Sequence, residues 1–108
     1  MIPHDLTANN FKKVVLESDI PVVVEVTAEW SGSTHITKPI LKRIMEKYQG
    51  QVKFCKLDIE KNYEMVKCLG ISTVPVLLIY RNSVLETTLT GTFSNDLINR
   101  EIYSILND

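Results

Sequence analysis

The sequence is short of cysteine. Its two cysteines, Cys55 and Cys68, lie 13 positions apart and match no metal-ligand spacing, so no metal is expected. Both read as reduced thiols, because free cysteine behaves as a small hydrophobe. Long hydrophobic runs are also missing. The longest, Val74 to Tyr80, has seven residues and contains Pro75, far fewer than the ~20 a bilayer-spanning helix needs. Neither sign of charge dominates: 12 basic side chains stand against 13 acidic ones, so no electrostatic footprint for nucleic acid is expected. Met1 to Asp5 shows no basic stretch leading into an apolar run. No targeting signal is read there, and a cytoplasmic location without membrane association is expected. No repeat, linker or low-complexity tract is visible. What the chain does have is apolar material, 44% of its 108 residues. That suits one core and a single domain spanning 1–108.

Hydrophobic spacing divides the chain into elements. From Thr7, a plausible cap, Phe11, Val14, Val15 and Ser18 share one helical face. Val22 to Val26 reads as a buried strand, since β-branched residues fit a pleated core surface. After a turn at Trp30 to Ser33, the residues Ile36, Ile40, Leu41, Ile44, Met45 and Tyr48 recur at spacings of three and four. They predict an amphipathic helix, kinked at Pro39 and closed by Gly50. A strand over Val52 to Ile59, a helix over Asn62 to Leu69 ended by Gly70, and a strand over Val74 to Tyr80 follow. Arg81 to Ser83 is a tight turn into a strand over Val84 to Thr90. Ser94 caps a last helix whose apolar face is Leu97, Ile98, Ile102, Ile105 and Leu106. Strands separated by helices are expected to run parallel, and the last two to form an antiparallel hairpin. The fold class is therefore α/β, with a mixed four- to five-stranded central sheet and helices on both faces.

Several motifs now carry a resemblance. Ala28 to Leu41 is similar to the active-site helix of the thioredoxin family, whose pattern is Trp-Cys-Gly-Pro-Cys with a proline five residues after the second cysteine. Trp30, Gly32 and Pro39 match, while Ser31 and Thr34 stand where the two cysteines belong and Ser33 replaces the proline. Lys56-Leu57-Asp58 resembles the family's central strand. Gly70 to Val76 resembles the segment with the cis proline, here Pro75, and Gly91 resembles the glycine ending the last strand. The resemblance runs from about Asp5 to Leu106 and implies a thioredoxin fold whose first strand is shortened or absent. It also implies that Glu25 occupies the position of a buried acid that relays protons to the resolving cysteine, with Lys56 as partner. With no thiol to serve, the two are expected to form a half-buried ion pair whose breaking would strand a charge.

Disulfide exchange requires an attacking thiolate and a second thiol to resolve the mixed disulfide. The family's protein-disulfide oxidoreductase activity and its part in cell redox homeostasis are therefore not expected through positions 31 and 34. A Ser31–His35–Glu25 hydrolytic set is not expected, because no oxyanion hole is evident and a helix N-terminus lowers histidine basicity. The expected function is a redox-inactive protein- or peptide-binding or assembly module. Its groove comprises Trp30, Gly32, Ser33, Thr73, Val74, Pro75 and Gly91, within the segments Trp30 to Thr34, Ser72 to Val76 and Gly91 to Phe93. Two alternatives stand beside it: residual thiol–disulfide oxidoreduction through Cys55 or Cys68, and a structural subunit using another face. No cofactor is expected, the partner is an unidentified protein or peptide, and the oligomeric state is left open.

Overall fold

A computed structural model describes residues 3–90 and 94–107, and for Ser33 and Thr34 the backbone alone. Five strands form one sheet in the order β1-β3-β2-β4-β5. They are β1 (His4–Asp5), β2 (Val22–Thr27), β3 (Lys53–Asp58), β4 (Val76–Arg81) and β5 (Val84–Thr90). The shortened first strand is thus present, as two residues paired in parallel with β3. Three α-helices, α1 (Gly32–Lys47), α2 (Tyr63–Cys68) and α3 (Asn95–Leu106), cover the two faces together with a π-helical segment, Lys12–Leu16. No described helix is long and apolar enough to cross a membrane.

The valine run explains why β2 sits at the centre. Val22, Val23, Val24 and Val26 are all buried, as a strand covered on both faces demands. Alternation then sends Val23 towards α1 and α3, where Leu41, Ile44, Leu77, Ile98 and Ile102 make one core cluster. Val22, Val24 and Val26 face a second cluster with Leu6, Val15, Cys55, Leu57 and Val66. Glu25 falls on the α1 side of this alternation, opposite Lys56 on β3.

Four expectations change. The first predicted helix is instead a turn from Thr7 leading into the π-helical segment, with Glu17 N–H donating to the Lys12 carbonyl at 2.9 Å. Thr7 still caps it, its Oγ1 accepting from Asn10 N–H at 3.3 Å. β4 runs antiparallel to β2, not parallel. The cause is length: the six residues of α2 span about 9 Å, while a six-residue strand spans about 20 Å. So short a helix cannot carry the chain back to the sheet's far end, and β4 starts beside the end of β2, with Val76 opposite Val26. In α1 the buried stripe contains Thr37, Leu41, Ile44 and Met45, continued by Tyr48 just past the helix, and Ile36 is exposed. Ile36 lies about 100° round the helix from Thr37; Ile40, one turn on, still reaches the core. Finally, α1 ends at Lys47, and Gly50, at φ 84°, lies within the turn over 48–51 that follows rather than closing the helix.

The hairpin forms as expected. Asn82 and Ser83 both take positive φ, 53° and 69°, as the turn type that matches strand twist requires. The Ser83 hydroxyl donates to the Leu16 carbonyl and ties the hairpin to the π-helical segment. Ser94 caps α3, its Oγ accepting from Leu97 N–H at 3.1 Å. Ser94→Ala should therefore cost about 1 kcal/mol in chemical denaturation. An unchanged midpoint would mean that solvent satisfies the Leu97 N–H as well.

Candidate functional site

The loops at the carboxyl ends of β2 and β3 and the connection from α2 to β4 meet at one end of the sheet. Ile59 N–H donates to the Thr27 carbonyl at 3.0 Å, holding the two loops together. Ser31 N–H donates to the Ala28 carbonyl at 3.0 Å, closing the turn that carries Trp30. On the other side, Gly70 N–H donates to the Lys67 carbonyl and Ile71 N–H to the Val66 carbonyl. Gly70 has φ 76°, a conformation glycine adopts without steric cost. The chain thereby leaves α2 towards the cis peptide between Val74 and Pro75.

Between these walls lies an open cleft of about 720 Å³. Trp30, Ile59, Tyr63, Val66, Ile71 and Val74 supply its apolar lining. Trp30 and Tyr63 are 68% and 65% exposed. Isolated exposed hydrophobes are ordinary, but two aromatics sharing one apolar cleft form a patch of the kind that meets a ligand.

The structure brings some residues of the expected groove to this cleft and not others. Trp30, Thr73 and Val74 line the cleft, while Pro75, next in the chain, is buried and does not line it. Gly32, the first residue of α1, is exposed but does not line it. The side chains of Ser33 and Thr34, and the whole of Gly91 to Phe93, lie outside the described residues. The cleft instead extends along α2, to Tyr63, Val66 and Lys67, which the sequence reading passed over as ordinary helix residues. Tyr63 carried the available signal, an aromatic at the first position of a short helix.

Ser31 is buried immediately ahead of α1. His35 is exposed, and its Nε2–H donates to the Glu29 carbonyl at 2.8 Å. That hydrogen bond turns the imidazole Nε2 to the preceding loop, which removes the ground for a Ser31–His35–Glu25 relay. Cys55 is buried and Cys68 exposed, and both are free thiols. Burial pushes the Cys55 thiol up to about 11, with Lys53 opposing, so it is a poor nucleophile near neutral pH.

Glu25 and Lys56 face the same side of the sheet beneath α1, but the expected contact ion pair is absent. The Lys56 ammonium lies 3.8 Å from Glu29 Oε1 instead. Glu29 stands on the exposed loop after β2, where an ion pair requires less desolvation than one beside Glu25 would. Glu25 is half-buried against a cavity of about 270 Å³ that Lys38, Lys42, Lys56, Glu29 and Thr27 also line. Its Oε2 has no hydrogen-bond partner among the described residues. Burial raises its pKa from 4.5 to about 7, against the pull of Lys56 and then Lys38. Among the described residues, no cluster of His, Cys, Asp or Glu could hold a metal ion.

The family model described as Thioredoxin matches residues 3–104. The chain is 35% identical over 88 residues to thioredoxin of Rickettsia felis, covering 82% of this chain and 84% of that one. It is 33% identical over 90 residues to thioredoxin of Pseudomonas aeruginosa, covering 83% of each. To thioredoxin 1 of a Nostoc species it is 31% identical over 101 residues, covering 85% of this chain and 94% of the relative.

Proposed function

The chain belongs to the thioredoxin family, and on that premise we propose that it is a redox-inactive binding or assembly module that grips an extended protein segment in the groove beside cis-Pro75. The observation that carries this reading is the open apolar cleft bounded by Trp30 and the Ser72–Val74 segment. Support also comes from chemistry. The residue ahead of α1 is Ser31, whose hydroxyl is too weak an acid for the helix N-terminus to ionise, and the chain's two thiols lie elsewhere in the fold. Backbone pairing along Ser72 to Val74 would supply affinity, and side-chain fit in the cleft would supply choice.

The relatives' name favours a second reading, thiol–disulfide exchange through Cys55 or Cys68. One assay separates the two. With a thioredoxin reductase and reductant supplied, insulin disulfide reduction should stay at the protein-free background. Turnover that disappears in Cys68→Ser would overturn the binding reading in favour of the enzyme.

A further inference from the structure

The polarity of the cleft bears on what it holds, and the argument rests on the peptide-binding reading above. Among the described residues, Lys67 is the one charged residue in the cleft lining; the remainder are apolar or neutral. It is exposed near the end of α2. Among the described residues it forms no ion pair, although Glu64 stands three residues before it on the same helix. Glu29, next to Trp30 in the chain, does not line the cleft, and its carboxylate lies 3.8 Å from Lys56 and 4.0 Å from His35. Among the described residues, the lining therefore presents one positive charge, outside any ion pair, at the rim of an apolar wall.

We infer that the cleft takes an extended peptide in which a large apolar side chain lies against Trp30 and Tyr63 and a neighbouring Asp or Glu meets Lys67. The apolar wall and the exposed coil of Ser72 and Thr73 suit a main chain with an alternating side-chain pattern. The carboxylate sets choice more than affinity, because a rim charge pair is solvent-screened and acts mainly on selectivity and encounter. A basic residue at the same place would face Lys67 at close range and be rejected.

The test pans a display library of random linear peptides on the full chain. Recovered peptides should pair an aromatic or branched apolar residue with a nearby acid, and Trp30→Ala should abolish their binding. In a synthetic copy of one recovered peptide, replacing the acid by its amide should weaken binding about two- to fivefold. Lys67→Glu, a change on an exposed helix position, should reverse that preference. If binding depends on Trp30 but neither the amide nor Lys67→Glu alters it, the acidic-partner inference falls and the groove reading survives. If Trp30→Ala binds the peptides as well as wild type, or if no peptide is recovered, the groove reading falls and the inference with it.

Discussion

Glu25→Met should stabilise the protein at about pH 8 and flatten its stability between about pH 5 and 8. Burial raises the folded-state pKa of Glu25 to about 7, from 4.5 when unperturbed. Between those values the folded chain holds a proton that the unfolded chain has released, so stability falls as pH rises through the interval. Below it the carboxyl is neutral in both states and no penalty applies. Above it the charge is present in both states, and the folded state bears the full cost of its poor solvation. One pKa unit corresponds to ~1.4 kcal/mol, and partial exposure reduces the whole to on the order of 2 kcal/mol. Methionine has nearly the same shape and removes both the charge and the orphaned Oε2. Lys56 keeps its contact with Glu29 in the variant, so no new stranded charge offsets the gain. Urea denaturation of both proteins across this pH range gives the readout as a difference between two profiles, which cancels every other titrating group. Parallel profiles would show that solvent reaches Glu25 freely and that its burial costs nothing.

That penalty follows from a position the sequence made visible. Glu25 interrupts an otherwise valine-rich strand, and strand alternation alone puts it on a core-facing register. Its neighbour Lys56 could also be matched to it, because β2 and β3 are parallel and in register. Which acid Lys56 chooses was not legible. The choice depends on where the loop after β2 puts Glu29, and no spacing encodes that. The same division runs through the fold. The Asn82–Ser83 turn and the Ser94 cap are local and were read correctly. The direction of β4 depends on whether α2 is long enough to return the chain, a comparison of two lengths in space. The α1 stripe was placed one residue off at its start because Ile36 and Thr37 differ by one step of helix phase, and hydrophobicity alone favoured the isoleucine. Of the residues lining the cleft, Trp30, Thr73 and Val74 were legible through motif resemblance. Tyr63 and Lys67 were not, because they belong to the cleft only through the way α2 leans beside the Trp30 loop.

Ser31→Cys combined with Ser33→Pro and Thr34→Cys should bring back disulfide reduction, on the order of tenfold or more above the wild-type background. α1 is a 16-residue helix beginning at Gly32, so position 31 directly precedes its N-terminal turn. Positions 31 and 34 are three apart, the spacing of the two cysteines in the thioredoxin pattern. Proline at position 33 lies in the first turn, where the N–H it removes has no partner within the helix. Two effects then compete on the thiol at 31. Ser31 is only 7% exposed, and burial raises a thiol pKa. The helix N-terminus lowers it, by up to ~2 kcal/mol in partly buried geometries. The exposed neighbours Trp30 and Gly32 keep solvent close to the site, so the helix should prevail and the thiol should titrate below the ~8.5 of a free cysteine. The measurement is thiolate absorbance against pH for Ser31→Cys alone, in a background of Cys55→Ala and Cys68→Ser. Alanine is chosen at 55 because a hydroxyl in that buried site would lack a partner. A value at or above that of a free thiol would mean that α1 does not direct its N-terminus at position 31. Catalysis by the triple variant would then fail for lack of an attacking thiolate. The resemblance at Trp30 to Pro39 would in that case describe the helix but not the site at its end, and the groove beside cis-Pro75 would have to stand on the cleft and the exposed Trp30 alone.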